Sequence, residues 1–214
     1  MKKIAINVYI WFIQKLMALA HILRIYPGWA KTYRLMHHKK YEDVELQTGL
    51  TPIEAQEQMN KLTWTKDGFR EAWDSVGSPH WVQHCLNEID AGREQPEGAL
   101  DCDDFTSWAV NVIDPKFDPL FFGQGWAKVE NGRKTGKLTG HAVCVIKSPA
   151  NGKLLHVGNW GRRGPFANLT EVGEDVAGSK RGTGHPVAWC VYTKDLKLVA
   201  KGDDLPPETV GEDD

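Results

Sequence analysis

An α+β fold, helices first and an antiparallel sheet after them, is predicted by three features of this 214-residue chain. Hydroxyl-then-proline pairs at Thr51-Pro52 and Ser78-Pro79 read as helix starts, because the hydroxyl caps free N–H groups and proline tolerates the first turn. Apolar residues then recur at helical spacing between 102 and 113. Beyond Pro115 the chain becomes a series of short apolar runs separated by glycine and proline, the pattern of strands and turns. Helices followed by strands is an α+β plan, and this length suits one domain with a real core.

The elements can be placed in order. "TPIEAQEQMNKL" has Thr51 as cap, Pro52 at the first helical position and Glu54 where a capping box needs it. "KDGFREAWDSVG" predicts a short helix, and "SPHWVQHCLNEIDAG" a longer one stopped near Gly92. Phe105, Trp108, Ala109, Val112 and Ile113 give the next helix its apolar stripe, and Pro115 ends it. Strands are predicted at "PLFFGQGWAKVE", "GHAVCVIKS", "KLLHVGNW", "HPVAWCVYT" and "LKLVA". Residues 161–186 read as a long glycine-rich loop of the kind that often serves as a lid.

Composition narrows the function classes. A net charge of −2 gives no global basic footprint, so nucleic acid is not an expected partner. The charge is unevenly spread. Residues 1–40 hold eight Lys/Arg and no acid, whereas residues 201–214 hold six acids and one lysine. The expected division is a basic amphipathic helical segment at 1–50, an α+β domain at 51–200 and a solvated acidic tail at 201–214. Asn7, Gln14, Lys15 and His21 share one face of the first helix, which suits docking on the domain, on a protein partner or on a membrane surface. Gln14 and Lys15 break the apolar run too early for a spanning helix, while Ala18-Leu19-Ala20 also has the form of a signal-peptidase site. A cytoplasmic chain is the expectation, with docking of this segment on a membrane surface and a signal peptide as its alternative readings.

Four scattered cysteines without C-x-x-C pairing suggest neither zinc nor a disulfide framework. Cys144 and Cys190 lie in apolar strands, where cysteine acts as a small hydrophobe. Cys102, in "ALDCDDFTSWAV", is different. It stands in the first turn of a helix, where the positive end of the dipole lowers a thiol pKa. Asp101, Asp103 and Asp104 oppose that effect, so a histidine partner is required. His141 is the best placed, because it opens the strand "HAVCVI" after Gly140; His156 and His185 are the other candidates.

A general base needs a third group to hold its second ring nitrogen. "LLHVGNWG" offers His156 and Asn159, and Asn151-Gly152 predicts a hairpin joining this strand to that of His141. A two-residue loop puts His156 on the His141 face. A three-residue loop sets Val143 opposite Asn159 and selects Asn159 instead.

These residues resemble a known family. "LDCDDFTSWAV" resembles the cysteine signature of bacterial transglutaminase-like cysteine peptidases, "GHAVCVI" their histidine strand and "LLHVGNW" the strand of their third catalytic residue. The spacing is similar: 39 residues from Cys102 to His141 and 18 more to Asn159. The resemblance spans about residues 60–195 and implies a papain-like α+β core performing thiol hydrolysis or acyl transfer at a peptide or glutamine amide, without metal or organic cofactor. It further implies a Cys102–His141–Asn159 triad, Trp160 shielding the Asn–His bond and Gln95 as an oxyanion donor. Leu100 and Phe105 depart from the family's glycine and tyrosine. The "DCDDF", "GHAVCVI" and His156 pattern is also similar to peptidoglycan peptidases of the NlpC/P60 type, with Asp103-Asp104 in place of their Ser-Gly. A non-catalytic transglutaminase-like binding module is the third reading.

Overall fold

The computed structural model describes residues 40–65, 78–98 and 100–208. The N-terminal helix expected from the basic segment, and the helix expected at 66–77, lie outside the described residues.

Helix α1 (Pro52–Met59) carries the full capping box: the Thr51 hydroxyl accepts from the Glu54 N–H, and the Glu54 carboxylate accepts from the Thr51 N–H at 2.7 Å. Ser78 caps α2 (Pro79–Asp90) by accepting from the His80 N–H. Helix α3 (Cys102–Val112) has Asp101 as its cap, with Asp104 reaching back to the Asp101 N–H at 3.3 Å. Its C-terminus turns extended at Ile113, and Pro115–Phe117 form a short 3-10 turn. Each cap supplies acceptors for N–H groups that the helix itself leaves unpaired, a contribution of ~1 kcal/mol.

The second half is a six-stranded antiparallel sheet formed by β1 (Leu120–Glu130), β2 (Arg133–Lys147), β3 (Leu154–Val157), β4 (Arg163–Phe166), β5 (Gly184–Tyr192) and β6 (Leu198–Asp203), in the order β4-β3-β2-β1-β5-β6. The tight two-residue hairpin lies at Asn131-Gly132, whose φ values of 51° and 73° match a turn that follows strand twist. At Asn151-Gly152 the connection is longer. Ser148 N–H bonds the Lys153 carbonyl at 2.8 Å, and the register sets Val145 opposite His156 and Cys144 opposite Val157. Neither of the two expected loop lengths occurs; the four residues 149–152 connect the strands. The side-chain phase nevertheless matches the two-residue case, with His156 and His141 on one face.

The sheet buries both faces. Ala142, Cys144, Ile146 and Val157 meet Trp81, Leu86, Phe105, Trp108 and Val112 from the helical half. Phe122, Val143, Val145, Trp189 and Val191 meet Leu169, Val172 and Val176 of α4 (Leu169–Ala177). A fully buried side chain of this size contributes ~1.5–3 kcal/mol, so both layers matter to stability.

Three expectations are corrected here. Residues 161–186 are not a structureless lid: they contain β4 and α4, the latter capped by Asn168 and buried along one side. The periodicity of Leu169, Val172 and Val176 was masked by the surrounding glycines. Residues 41–50 do not separate from the domain, since Tyr41 and Leu46 pack on the helical core and buried Leu50 bridges Ile113. Nor does the tail begin at 201. Strand β6 runs to Asp203, the Gln124 amide donates to the Asp204 carbonyl at 3.0 Å, and Thr170 donates to the Pro206 carbonyl at 2.8 Å.

This junction depends on Gly173. A Cβ there would come within 2.9 Å of both Gln124 Oε1 and Pro206 Cδ. Gly173→Ala is expected to destabilise the domain by ~1–3 kcal/mol through overpacking, despite the better helix propensity of alanine. Urea unfolding midpoints of the two proteins check this.

Candidate functional site

Cys102 occupies the first position of α3 and is half-buried against the helical core. Its carbonyl accepts from the Thr106 hydroxyl at 2.7 Å. Two of the three acids around it take part in capping: Asp101 accepts from the Asp103 N–H at 3.2 Å, and Asp104 returns to the Asp101 N–H. Potential ligand atoms of Asp101, Cys102 and Asp103 lie within 4.8 Å of one another. The other cysteines are poor thiolates. Burial pushes Cys85 up to about 12 and also raises Cys144 and Cys190.

His141 lies in β2 opposite Gln124 and is only 6% exposed. Its imidazole lies flat against the Trp160 indole, with centroids 3.6 Å apart and planes at 14°, and Trp126 meets Trp160 edge-on at 6.2 Å. Ring atom Nε2 is enclosed without a hydrogen-bond partner. Burial, with nearby His156 and Arg163, pushes the His141 pKa down to about 3, so the ring is neutral at neutral pH.

Side-chain alternation assigns these groups to faces. His141 shares the α4 face with Val143, Val145 and its cross-strand neighbour Gln124, whose Oε1 lies against Gly173 of α4. Helix α3 packs on the Ala142, Cys144 and Ile146 face. The expected Cys102 and His141 therefore sit on two elements that touch, and they approach β2 from its two sides.

The remaining expected residues divide similarly. His156, fully buried on the α4 face, directs Nε2 to the Asp175 carboxylate of α4 at 3.1 Å and stacks on Phe166. Arg163 also bonds Asp175, at 3.3 and 3.4 Å, and Arg181 approaches it at 3.5 Å. Burial lowers the His156 pKa against the pull of Asp175. Burial alone would raise Asp175; the His156 bond and the two guanidiniums hold it below the ordinary carboxylate range. Asn159 lies in the turn after β3, beside Ala142 if the register is continued, with Oδ1 enclosed and unpaired. Trp160 does contact His141, by stacking. Gln95 has a different post from the one expected: its amide accepts from the Thr63 N–H at 2.7 Å and donates to the Thr63 carbonyl at 3.0 Å, clamping two loops.

Sequence reasoning missed Asp175, Gln124 and Gln56. The Gln56 amide grips both the carbonyl and N–H of Gly158, at 3.1 and 3.3 Å, and so holds the turn that carries Asn159 and Trp160. A glutamine within "EAQEQM" carries no local sign of such a partner; Asp175 was hidden with its helix. No family model, curated protein or solved structure matches this chain.

The two buried histidines dictate an acid response. Both bind a proton more readily unfolded, at about 6.5, than folded. Their contribution is intact above about pH 6.5 and is lost as pH falls from there, for His141 toward about 3, by up to ~1.4 kcal/mol per pH unit for each. Urea titrations from pH 7.5 to 4.5 are expected to show this decline. His141→Phe, which keeps a ring beneath Trp160, should flatten it in part, because one of the two proton-binding groups is gone.

Proposed function

We propose that this chain is a thiol hydrolase or acyl transferase of the transglutaminase-like, papain-like kind, acting on a peptide bond or glutamine side-chain amide. The observation that carries this reading is the position of Cys102 at the first residue of a capped helix, α3, which lies against the strand bearing His141. The helix dipole favours the thiolate there, and the neutral imidazole has a free Nε2. Reaction requires the His141 ring to leave its stack and turn past the β2 backbone toward Cys102, at the edge that β3 leaves unpaired.

The thiol proton then passes to His141, and the thiolate attacks the amide carbonyl. The C–N bond breaks as His141 returns the proton to the leaving amine, leaving a thioester that water or a second amine resolves. Backbone N–H groups at the α3 start hold the oxyanion, since the Gln95 amide is already paired with Thr63. Asn159 is favoured as the third member. Its unpaired Oδ1 can accept an imidazole N–H, whereas His156 is already bound to Asp175. That difference also weighs against the peptidoglycan-peptidase reading, which needs His156. A peptide or protein is the expected partner. Among the described residues no helix is long and apolar enough to cross a membrane.

A non-catalytic binding module is the second reading, favoured by the buried, neutral state of His141 on the α4 face. Site-resolved iodoacetamide labelling, read by mass spectrometry against pH, separates the two. The catalytic reading expects Cys102 to label near pH 6 far faster than Cys85, Cys144 and Cys190, and His141→Ala to abolish the excess. Equal labelling, or indifference to His141→Ala, would leave the binding module standing.

A further inference from the structure

The turn Gly158–Gly161 has the construction of a hinged cover. Its Gly161 N–H bonds the Gly158 carbonyl at 2.9 Å, and Gly161 has φ of 89° with open space where a Cβ would be. One end is anchored, because Gln56 holds both polar groups of the Gly158 backbone. Nothing comparable holds Gly161, whose freedom at positive φ a side chain would remove. Between these glycines stands Trp160, 42% exposed although it covers a histidine that is 6% exposed. An outer tryptophan on a short glycine-bounded turn can leave with little loss of core packing, and it covers one face of the imidazole.

We propose that Trp160 is a positioning residue that gates His141: stacked, it holds the imidazole on the α4 face, and withdrawn, it frees the ring to receive a proton. A segment of substrate that takes up the indole would couple binding to release of the base. The cover on its own is a property of His141 and Trp160; its catalytic meaning rests on the thiol reading above.

The groups facing His141 determine what release does to its charge. His156 from β3 and Arg163 from β4 both oppose a positive imidazole, while Asp175 of α4 is already paired with both of them. Gln124 from β1 and the indole are neutral. The repulsive neighbours remain when Trp160 leaves, so the change comes from solvent reaching the ring. Hydration favours the charged form, which moves the histidine upward.

The test is a histidine NMR titration of the full chain labelled with 13C and 15N, with His141→Gln assigning the signal. Trp160→Ala is expected to raise the His141 midpoint by about one unit or more and to remove the ring-current shift of its ring protons. Trp160→Phe, which keeps a ring on the imidazole, should titrate like the parent. Unchanged titration in Trp160→Ala overturns the gate, and the parent-like amide spectrum of each variant serves as the folding control. Alkylation of Cys102 in the same proteins keeps the two ideas apart. A raised midpoint with unaltered alkylation sustains the gate and defeats the thiol reading. An unmoved midpoint with His141-dependent alkylation does the reverse.

Discussion

The pleat of β2 is the constraint on which the rest of the structure depends. Residues 141–146 are all buried, so the strand cannot choose a wet side, and alternate residues must answer to different partners. Ala142, Cys144 and Ile146 receive the helical half, and His141, Val143 and Val145 receive α4. A one-residue slip would exchange the two sets, placing valines against α3 and moving a neutral histidine into the helical core. The long pairing with β1 and the two-residue turn at Asn131-Gly132 secure the phase from one side, and the four-residue connection to β3 secures it from the other.

Polar groups are concentrated at one end of this layer. The Gln124 amide nitrogen bonds the carbonyls of Gly125, Ala188 and Asp204, fastening the central strands to the segment that follows β6. His156, Arg163 and Arg181 converge on Asp175 and tie α4 to the sheet. Against these satisfied contacts stand five enclosed atoms without a partner among the described residues, four of them on or next to the sheet: Gln124 Oε1, His141 Nε2, His156 Nδ1 and Asn159 Oδ1, the fifth being Gln58 Oε1 of α1. An unmade bond of this kind costs ~1–3 kcal/mol in a protein interior. Folds carry such costs where a group is kept for something other than packing, which is why this end of β2 and β3 is the centre of functional interest.

The thiol and the imidazole illustrate a tension between local chemistry and packing. Locally, each is well prepared: Cys102 stands at a helix start, and His141 is a neutral base with a free nitrogen. Their elements also touch. Yet the pleat directs the imidazole away from α3, and stacking on Trp160 holds it there. His141 lies at the start of the buried stretch of β2, beside the exposed Trp160.

Much of this molecule was legible in the sequence because it depends on neighbours in the chain. The Thr51 and Ser78 caps, the α3 stripe and most strands are consequences of hydrogen bonds and periodicities spanning three or four residues, and they lie where those rules put them, except that β2 begins at Arg133, so His141 lies within the strand instead of opening it. The position of Cys102 in the first turn of a helix was legible for the same reason. Helix α4 was not, because glycines at 164, 173, 178 and 182 outweighed a stripe only three apolar residues long. Tertiary structure alone decided which face each side chain serves. The connection after Lys147 is four residues long for reasons no dipeptide signal states, and its length determines the phase of His156 and Asn159. It likewise decided that Gln95 would clamp Thr63, that Gln56 would hold Gly158 and that Asp175 would meet His156, since each joins segments brought together only by the packing of two layers on one sheet.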